Sequence, residues 1–165
     1  MGDRAATLLG AGRRVIGLPP GDDCRIGLDM IPVRAVEEAV ATHGERYLRR
    51  IFTEHELASC RGPQGLALAS LAARWAAKEA TIKVLQPAVG QPEWRSMEVR
   101  RIRGGACRME LSGTAAALAE DAGITSLALS MTHEGPYAAA VVFALCGAPG
   151  SARSGTSGRK ETTDA

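Results

Sequence analysis

The middle of the chain switches between the two periodicities that distinguish strands from helices. Residues 25–31 alternate apolar with polar or small side chains, which predicts a strand. Pro32 ends this strand and stands at the start of a predicted helix over residues 33–43, which Gly44 terminates. Further along, residues 66–85 are rich in Ala and Leu and form the most strongly helical segment of the chain.

Turn and capping residues divide the rest of this region into short elements. Thr53 and Glu56 form a capping box that opens a short helix from Glu54 to about Cys60. The later elements are strands over 97–102 and 107–111 joined at Gly104-Gly105, a helix over 114–122 capped by Ser112, and strands over 126–132 and 137–145. The last strand is a long apolar run, as in the centre of a sheet. This order predicts an α+β fold with an antiparallel sheet packed against a long helix.

Composition fits one globular domain with two atypical ends. The chain has 165 residues, of which 45% are hydrophobic and 23% are charged. We expect a partly ordered N-terminal extension over 1–23 with a short strand at 14–18, a domain over 24–146, and a disordered Gly/Ser-rich tail over 147–165. No apolar run is long enough for a membrane span, and the first residues lack a secretory signal, which favours the cytoplasm.

Charge and cysteine content remove several classes of function. The net charge is only +2 and aromatics make up 4%, so nucleic-acid binding is not indicated. The four cysteines contain no C-x-x-C pair, which argues against a zinc knuckle or a dithiol site and favours reduced thiols. Dinucleotide, phosphate-loop, zinc-protease and serine-hydrolase motifs are also absent from the sequence.

Two carboxylates stand out because of their apolar surroundings. Glu79 lies within a stripe of apolar positions on the long helix, where a carboxylate is costly unless it is paired or bound to a cation. A salt bridge to Arg74, Lys78 or Lys83 is the simpler interpretation. Asp29 ends an apolar strand, where it could equally cap a turn. Two such acids on separate elements, with bases nearby, are also what a phosphate-bound Mg²⁺ requires.

Four motifs that contain these residues resemble one enzyme family, the holo-acyl-carrier-protein synthases, which are the small type of 4′-phosphopantetheinyl transferase. The resemblance covers about residues 25–145. The matching segments are 27–31 (GLDMI, against G-x-D-[IL]-[VT]), 50–57 (RIFTEHEL, against R-[IV]-[FL]-[TS]-x-x-E), 73–83 (ARWAAKEATIK, against R-[FW]-A-x-K-E-A-x-x-K), and 130–133 with 137–140 (SMTH and YAAA, against S-[IL]-[ST]-H-x-x-x-Y-A).

The resemblance implies a fold, a reaction and a set of site residues. The enzymes transfer phosphopantetheine from coenzyme A to a serine of an apo acyl carrier protein and release adenosine 3′,5′-bisphosphate. The metal ligands correspond to Asp29 and Glu79, and the helix lysines to Lys78 and Lys83. Arg74 and His133 correspond to positions near the nucleotide phosphates. Short members form trimers with active sites between subunits, so a homotrimer is expected.

Chemistry agrees with these assignments, because phosphoryl transfer depends mainly on positioning and charge neutralisation. Mg²⁺ held by Asp29 and Glu79 is expected to stabilise the diphosphate, and Lys83 to neutralise charge. The proton acceptor stays open between a metal-bound water, Glu79 and Lys83. Since the family's carrier partner is acidic, we interpret Arg46, Arg49 and Arg50, which follow the predicted first helix, as its docking residues; a solvated basic face is the alternative.

The sequence departs from the family pattern in three places. Residues 84–90 replace the G-[TS]-G loop that normally follows the helix lysine, Ile82 replaces a small residue, and Gly104-Gly105-Ala106 lacks the usual proline. These departures leave a second hypothesis, a catalytically weakened relative that binds a carrier protein. The sequence does not distinguish a fatty-acid carrier from a polyketide carrier.

Overall fold

The computed structural model describes residues 23–102 and 104–147. The predicted strand at 14–18, most of the N-terminal extension and nearly all of the C-terminal tail lie outside these residues. The elements are β1 (Asp23–Pro32), α1 (Val33–Ile51), α2 (Glu54–Ser59), β2 (Arg61–Gly62), β3 (Gly65–Leu66), α3 (Leu68–Leu85), a 3₁₀ turn (Trp94–Ser96), β4 (Met97–Arg101), β5 (Cys107–Leu111), α4 (Gly113–Asp121), β6 (Ile124–Glu134) and β7 (Tyr137–Cys146).

The main sheet is antiparallel, with the strand order β1-β7-β6. β7 is the central strand, as its apolar run predicted. Its inward positions carry small or branched side chains, which are buried against α3: Ala138, Ala140, Val142 and Ala144. The predicted α+β architecture, an antiparallel sheet packed on a long helix, is therefore confirmed.

Helix α3 passes through the middle of the molecule and is buried on most of its circumference. Five alanines on it are each at most 2% exposed, and their small side chains allow neighbouring elements to approach closely: Ala72, Ala73, Ala76, Ala77 and Ala80. Its N-terminal half packs on α1 and α2, and its C-terminal half packs on β4, β5, α4 and β7. The single apolar stripe that the sequence predicted is thus too narrow, because most faces of the helix meet other elements.

Two local predictions need correction, and one short hairpin lies outside the predicted elements. Gly44 interrupts α1 with φ 52° and ψ −137°, but the helix resumes and continues to Ile51. Ser112 does not cap α4 through its side chain; instead its backbone N–H donates to Ser96 O at 2.8 Å. The short β2–β3 hairpin was not predicted. By contrast, the Thr53–Glu56 capping box and the β4–β5 hairpin are present as expected.

The outer face of the sheet is apolar along β1 and part of β7. Ile26, Leu28 and Met30 alternate along β1 as predicted, yet they are 67%, 59% and 61% exposed. On the neighbouring strand β7, Tyr137 and Val141 are also exposed, and Val141 pairs directly with Leu28. These exposed apolar residues are therefore contiguous, and contiguous exposed apolar patches are typical of interaction surfaces. Within the described residues, no helix combines the length and apolar character needed to cross a membrane.

A fully buried ion pair joins α2 to α3. Lys78 Nζ lies 2.9 Å from Glu56 Oε2 and also donates to the carbonyl oxygens of Trp94 (2.8 Å) and Met97 (2.6 Å). Glu56 in turn accepts the backbone N–H groups of Thr53 (2.9 Å) and Val99 (3.0 Å). Every charge in this network is thus matched by a hydrogen-bonding partner, which is the condition for tolerating buried ions.

Replacing Lys78 tests how much the pair contributes. Lys78→Met keeps an unbranched side chain but leaves Glu56 without its counter-ion and two carbonyl groups without their donor. We expect the free energy of unfolding in urea to fall by about 3 kcal/mol. Arg49→Met, which removes an exposed pair with Glu45, is the matched control and should cost about 0.5 kcal/mol or less. Equal losses in the two variants would contradict the structural role of the buried pair.

Candidate active site

Asp29 is positioned by a close contact between β1 and α3. Alternate residues of a strand share a face, so Gly27 and Asp29 both point toward the helix. A Cβ at Gly27 would lie 2.0 Å from Ala80 O and 3.2 Å from the Cβ of Lys83, so no larger residue fits there without moving the helix. Arg25 fixes the same approach, because its guanidinium donates to Val84 O at 2.9 Å.

Lys83 bridges the two elements at this point. Its Nζ donates to Leu28 O at 2.6 Å and to Asp29 Oδ1 at 3.0 Å. The second carboxylate oxygen, Asp29 Oδ2, is buried and has no hydrogen-bonding partner among the described residues. An anionic oxygen left in this state is energetically costly, so it is suited to a cation that is not part of the polypeptide.

Glu79 lies close enough to Asp29 to feel its charge. Partial burial, and then repulsion from Asp29, raise the pKa of Glu79 above its ordinary value, while the Lys83 ammonium acts in the opposite direction. The simpler sequence interpretation, a salt bridge from Glu79 to a neighbouring base, is not found in the described part of the chain, where Lys83 instead pairs with Asp29. Two carboxylates and one ammonium therefore meet at the β1–α3 contact.

These residues fit a hard divalent cation. Mg²⁺ commonly takes one or two protein carboxylates and completes its octahedron with water and substrate phosphate. Asp29 and Glu79 supply the carboxylates, and the unpartnered Asp29 Oδ2 supplies an oxygen that is already directed inward. No cluster of three or more His, Cys, Asp or Glu side chains suited to a metal occurs in residues 23–102 and 104–147. The donor set is thus too small for a closed structural site and suits an ion shared with a substrate.

Lys78 does not belong to this cluster, although it precedes Glu79 directly. Adjacent residues on a helix diverge by about 100°, and Lys78 points to Glu56 and the 3₁₀ turn. Its side chain is fully enclosed and its ammonium contacts three protein oxygens. The interpretation of Lys78 as a cofactor-binding residue does not match this position, because no donor is left for a coenzyme phosphate.

Arg74 and His133 are also separate from the acidic cluster. Arg74 is 2% exposed, donates to Ser70 O at 3.1 Å, and has an Nε without a partner among the described residues. His133 is exposed near the end of β6. β7 lies between β6 and β1, so about two strand spacings, or roughly 10 Å, separate the backbones of His133 and β1. Of the predicted site residues, which all lie in the described part of the chain, the structure brings together Asp29, Glu79 and Lys83.

The three candidate docking arginines lie on the second half of α1, after the Gly44 interruption, rather than beyond the helix as predicted. Arg46, Arg49 and Arg50 are all exposed. Arg49 is 3.4 Å from Glu45, one turn earlier. The arginines therefore form a basic surface on a fixed element.

Two residues that shape the site were not identified as such from the sequence. The sequence marks Gly27 only as part of a motif, although its missing side chain permits the β1–α3 contact. Glu56 was recognised as a helix cap, and its signal is the capping box, but nothing in the local pattern shows that its carboxylate also binds Lys78. Both roles depend on residues that are distant in sequence.

Comparison with known proteins agrees with the geometry. The family model described as the 4′-phosphopantetheinyl transferase superfamily matches residues 25–142. A holo-[acyl-carrier-protein] synthase from Moorella thermoacetica is 40% identical over 119 residues, which cover 71% of this chain and 90% of that protein.

Solved structures give the same result. The Helicobacter pylori holo-[acyl-carrier-protein] synthase in complex with coenzyme A superposes with a TM-score of 0.63 at 26% identity, covering 73% of this chain and 99% of that one. A Chronobacterium ammoniagenes coenzyme A complex superposes with a TM-score of 0.61 at 29% identity, covering 74% and 96%. On the strength of the matched residues, the shared fold and the acidic cluster, the chain belongs to the 4′-phosphopantetheinyl transferase superfamily and is a transferase of the holo-[acyl-carrier-protein] synthase type.

Proposed function

We propose that this protein transfers the 4′-phosphopantetheine group of coenzyme A to a serine of an apo acyl carrier protein, with Mg²⁺ bound at Asp29 and Glu79. The observation that carries the proposal is the convergence of these two carboxylates with Lys83, beside the unpartnered Asp29 Oδ2. The names of the relatives support the same substrates, since they are holo-[acyl-carrier-protein] synthases and two of the similar structures hold coenzyme A.

The reaction places clear demands on these residues. The serine oxygen attacks the β-phosphorus, the bond to the bridging oxygen breaks, and adenosine 3′,5′-bisphosphate leaves while the serine proton passes to an acceptor. Bound Mg²⁺ supplies neutralisation of the diphosphate charge. The Lys83 side chain is half exposed, and its ammonium lies 3.0 Å from Asp29 Oδ1, where it can bind a phosphate oxygen. Glu79, with its raised pKa, and Lys83 both remain candidates for the proton acceptor.

Coenzyme binding involves Arg74 and His133 in this proposal. The buried Nε of Arg74 has no hydrogen-bonding partner among the described residues, so the guanidinium has donor capacity for an anion. His133 is exposed but lies two strands from Asp29. An arrangement in which His133 of one copy faces the acidic cluster of another copy would reconcile this separation with a shared coenzyme site.

The outer sheet face supports a homotrimer with such sites between subunits. Ile26, Leu28 and Met30 form an apolar row that one chain leaves uncovered.

Sedimentation equilibrium of the full chain should give the mass of three copies, and Leu28→Asp should lower it. Ile102→Asp, at an exposed apolar residue outside this face, is the control and should keep three copies. A monomeric wild-type chain would contradict the trimer.

Arg46, Arg49 and Arg50 are the proposed contacts for the carrier. Their exposed positions on one half of α1 allow ion pairs with an acidic partner, which favour association and orientation more than raw affinity. The arginines are distant from Asp29 and Glu79 in sequence, but α3 connects the two places because it packs on both α1 and β1.

A mass-shift assay tests the proposed reaction. Purified protein, Mg²⁺ and coenzyme A are incubated with several apo carriers, and intact masses are measured. We expect one phosphopantetheine to be added by the wild type, and a rate at least about 100-fold lower for Asp29→Asn and Glu79→Gln because each removes a ligand charge. Glu120→Gln, at an exposed glutamate of α4, should retain activity. Carrier binding without any transfer would favour the second hypothesis, a catalytically weakened relative that binds a carrier protein. The altered segment at residues 84–90 is the sequence feature that supports that hypothesis.

Thermal stability provides a second test of the acidic cluster. Because the pKa of Glu79 is raised in the folded state, its contribution to stability is greatest at low pH and declines as pH rises through that pKa. In the presence of a chelator, Glu79→Gln should therefore melt at a higher temperature than wild type at about pH 8, with a smaller difference at about pH 5. Mg²⁺ should raise the wild-type melting temperature and leave that of Glu79→Gln unchanged. Glu120→Gln should follow the wild type throughout, and an equal response to Mg²⁺ in all three proteins would refute the metal site.

A further inference from the structure

Two hollows on the surface of α1 share a wall. One, of about 300 Å³, is lined by His43, Arg46, Tyr47 and Arg50. The other, of about 460 Å³, lies between Arg50 and the segment that ends at the 3₁₀ turn, with Trp94 and Arg95 on its far side. Because Arg50 lines both, the two hollows lie side by side, and we call the pair together the α1 groove.

The charges of the α1 groove are mostly of one sign. Its arginines are Arg46, Arg49, Arg50 and Arg95, against a single acid, Glu93. Only Arg49 makes an ion pair within the described part of the chain, and its partner Glu45 is exposed at 3.4 Å. Positive charge without internal neutralisation around a concave surface favours an acidic partner and suppresses neutral or basic ones.

The wall that carries Arg95 is held rigidly. The Trp94 ring stacks on Trp75 with centroids 4.7 Å apart, and Trp75 contacts Tyr47 at 6.1 Å. The carbonyl oxygen of Trp94 accepts from the buried Lys78 ammonium at 2.8 Å. Ser96 closes the turn through its backbone N–H and its hydroxyl, both bonded to Glu93 O. The backbone of a basic residue on so fixed a turn loses little conformational freedom when a partner binds.

We propose that Arg95 forms the second wall of the carrier-docking surface, so that an acidic segment of the apo carrier lies in the α1 groove and is contacted from both sides. This inference rests on the proposed function, but it adds a docking residue from a different element, about 45 positions further along the chain than the arginines of α1. It also assigns the stacked Trp94 to the floor of that surface. Arg95 makes none of the contacts that assemble Asp29, Glu79 and Lys83.

Steady-state kinetics of the full chain separate docking from chemistry. For Arg95→Glu, we expect the KM for apo carrier to rise roughly tenfold, while kcat and the KM for coenzyme A stay within about twofold of wild type. Arg95→Ala should give a smaller rise in the same direction and a shallower dependence of carrier KM on salt, because one of the interacting charges is lost. Arg101→Glu, at an exposed arginine of β4 that lines neither hollow, is the control and should leave all three constants unchanged.

The outcomes distinguish this inference from the proposed function. If the wild type modifies the carrier and Arg95→Glu keeps the wild-type carrier KM, the docking role of Arg95 is wrong and the enzyme assignment stands. A rise in the KM for coenzyme A in place of the carrier KM would also overturn it and would assign Arg95 to the coenzyme. If the wild type modifies no apo carrier, the proposed function fails first. Thermal melting of each variant confirms that the fold is intact.

Discussion

The buried ion pair between Lys78 and Glu56 determines how the central helix sits among its neighbours. Burial lowers the pKa of Lys78, and Glu56 opposes that shift by favouring the charged ammonium. The buried pair is tolerated only because both charges are fully hydrogen-bonded. Lys78 donates to Trp94 O and Met97 O, and Glu56 accepts from the N–H groups of Thr53 and Val99. It thereby specifies one rotation of α3 relative to α2, β4 and the 3₁₀ turn.

The rotation of α3 also sets the direction in which Glu79, the residue after Lys78, points. Glu79 follows Lys78 by about 100° around the helix, which turns it toward β1 and away from the buried pair. There, Gly27 lets β1 approach until a Cβ would collide with Ala80 O, and Asp29 arrives two residues later on the same face. Partial burial and then repulsion from Asp29 raise the pKa of Glu79, and the approach of the two carboxylates is thus a consequence of packing on both sides of α3.

Short sequence patterns predicted the secondary structure well, but they did not predict which distant residues contact one another. The period-two alternation at β1 correctly predicted a strand, but it could not say whether Ile26 and Leu28 lie in the core or on the exposed outer face. Glu79 and Asp29 could be selected because a carboxylate on an apolar pattern demands a counter-charge. The helix motif places Lys78 directly before Glu79 and so groups it with the site residues. Only the tertiary structure shows that its partner is Glu56, 22 positions earlier. Gly44 indicated a break in α1 correctly, whereas packing of Leu48 and Ile51 into the core restores the helix beyond it.

The same helix separates the two kinds of charge that the proposed reaction needs. On its β1 side, α3 contributes a carboxylate that is desolvated and repelled, a state that a cation relieves. Toward the 3₁₀ turn, it contributes the lysine that anchors Trp94 and the Trp75 ring that stacks on it, beneath a surface rich in arginine. Attraction for an acidic protein requires positive charge, whereas attraction for a divalent cation requires negative charge, so the two would weaken each other at one place. Because the buried helix α3 lies between them, the acidic cluster and the basic surface can keep opposite charges. A carrier docked on the basic surface still lies on the same rigid body as the acidic cluster.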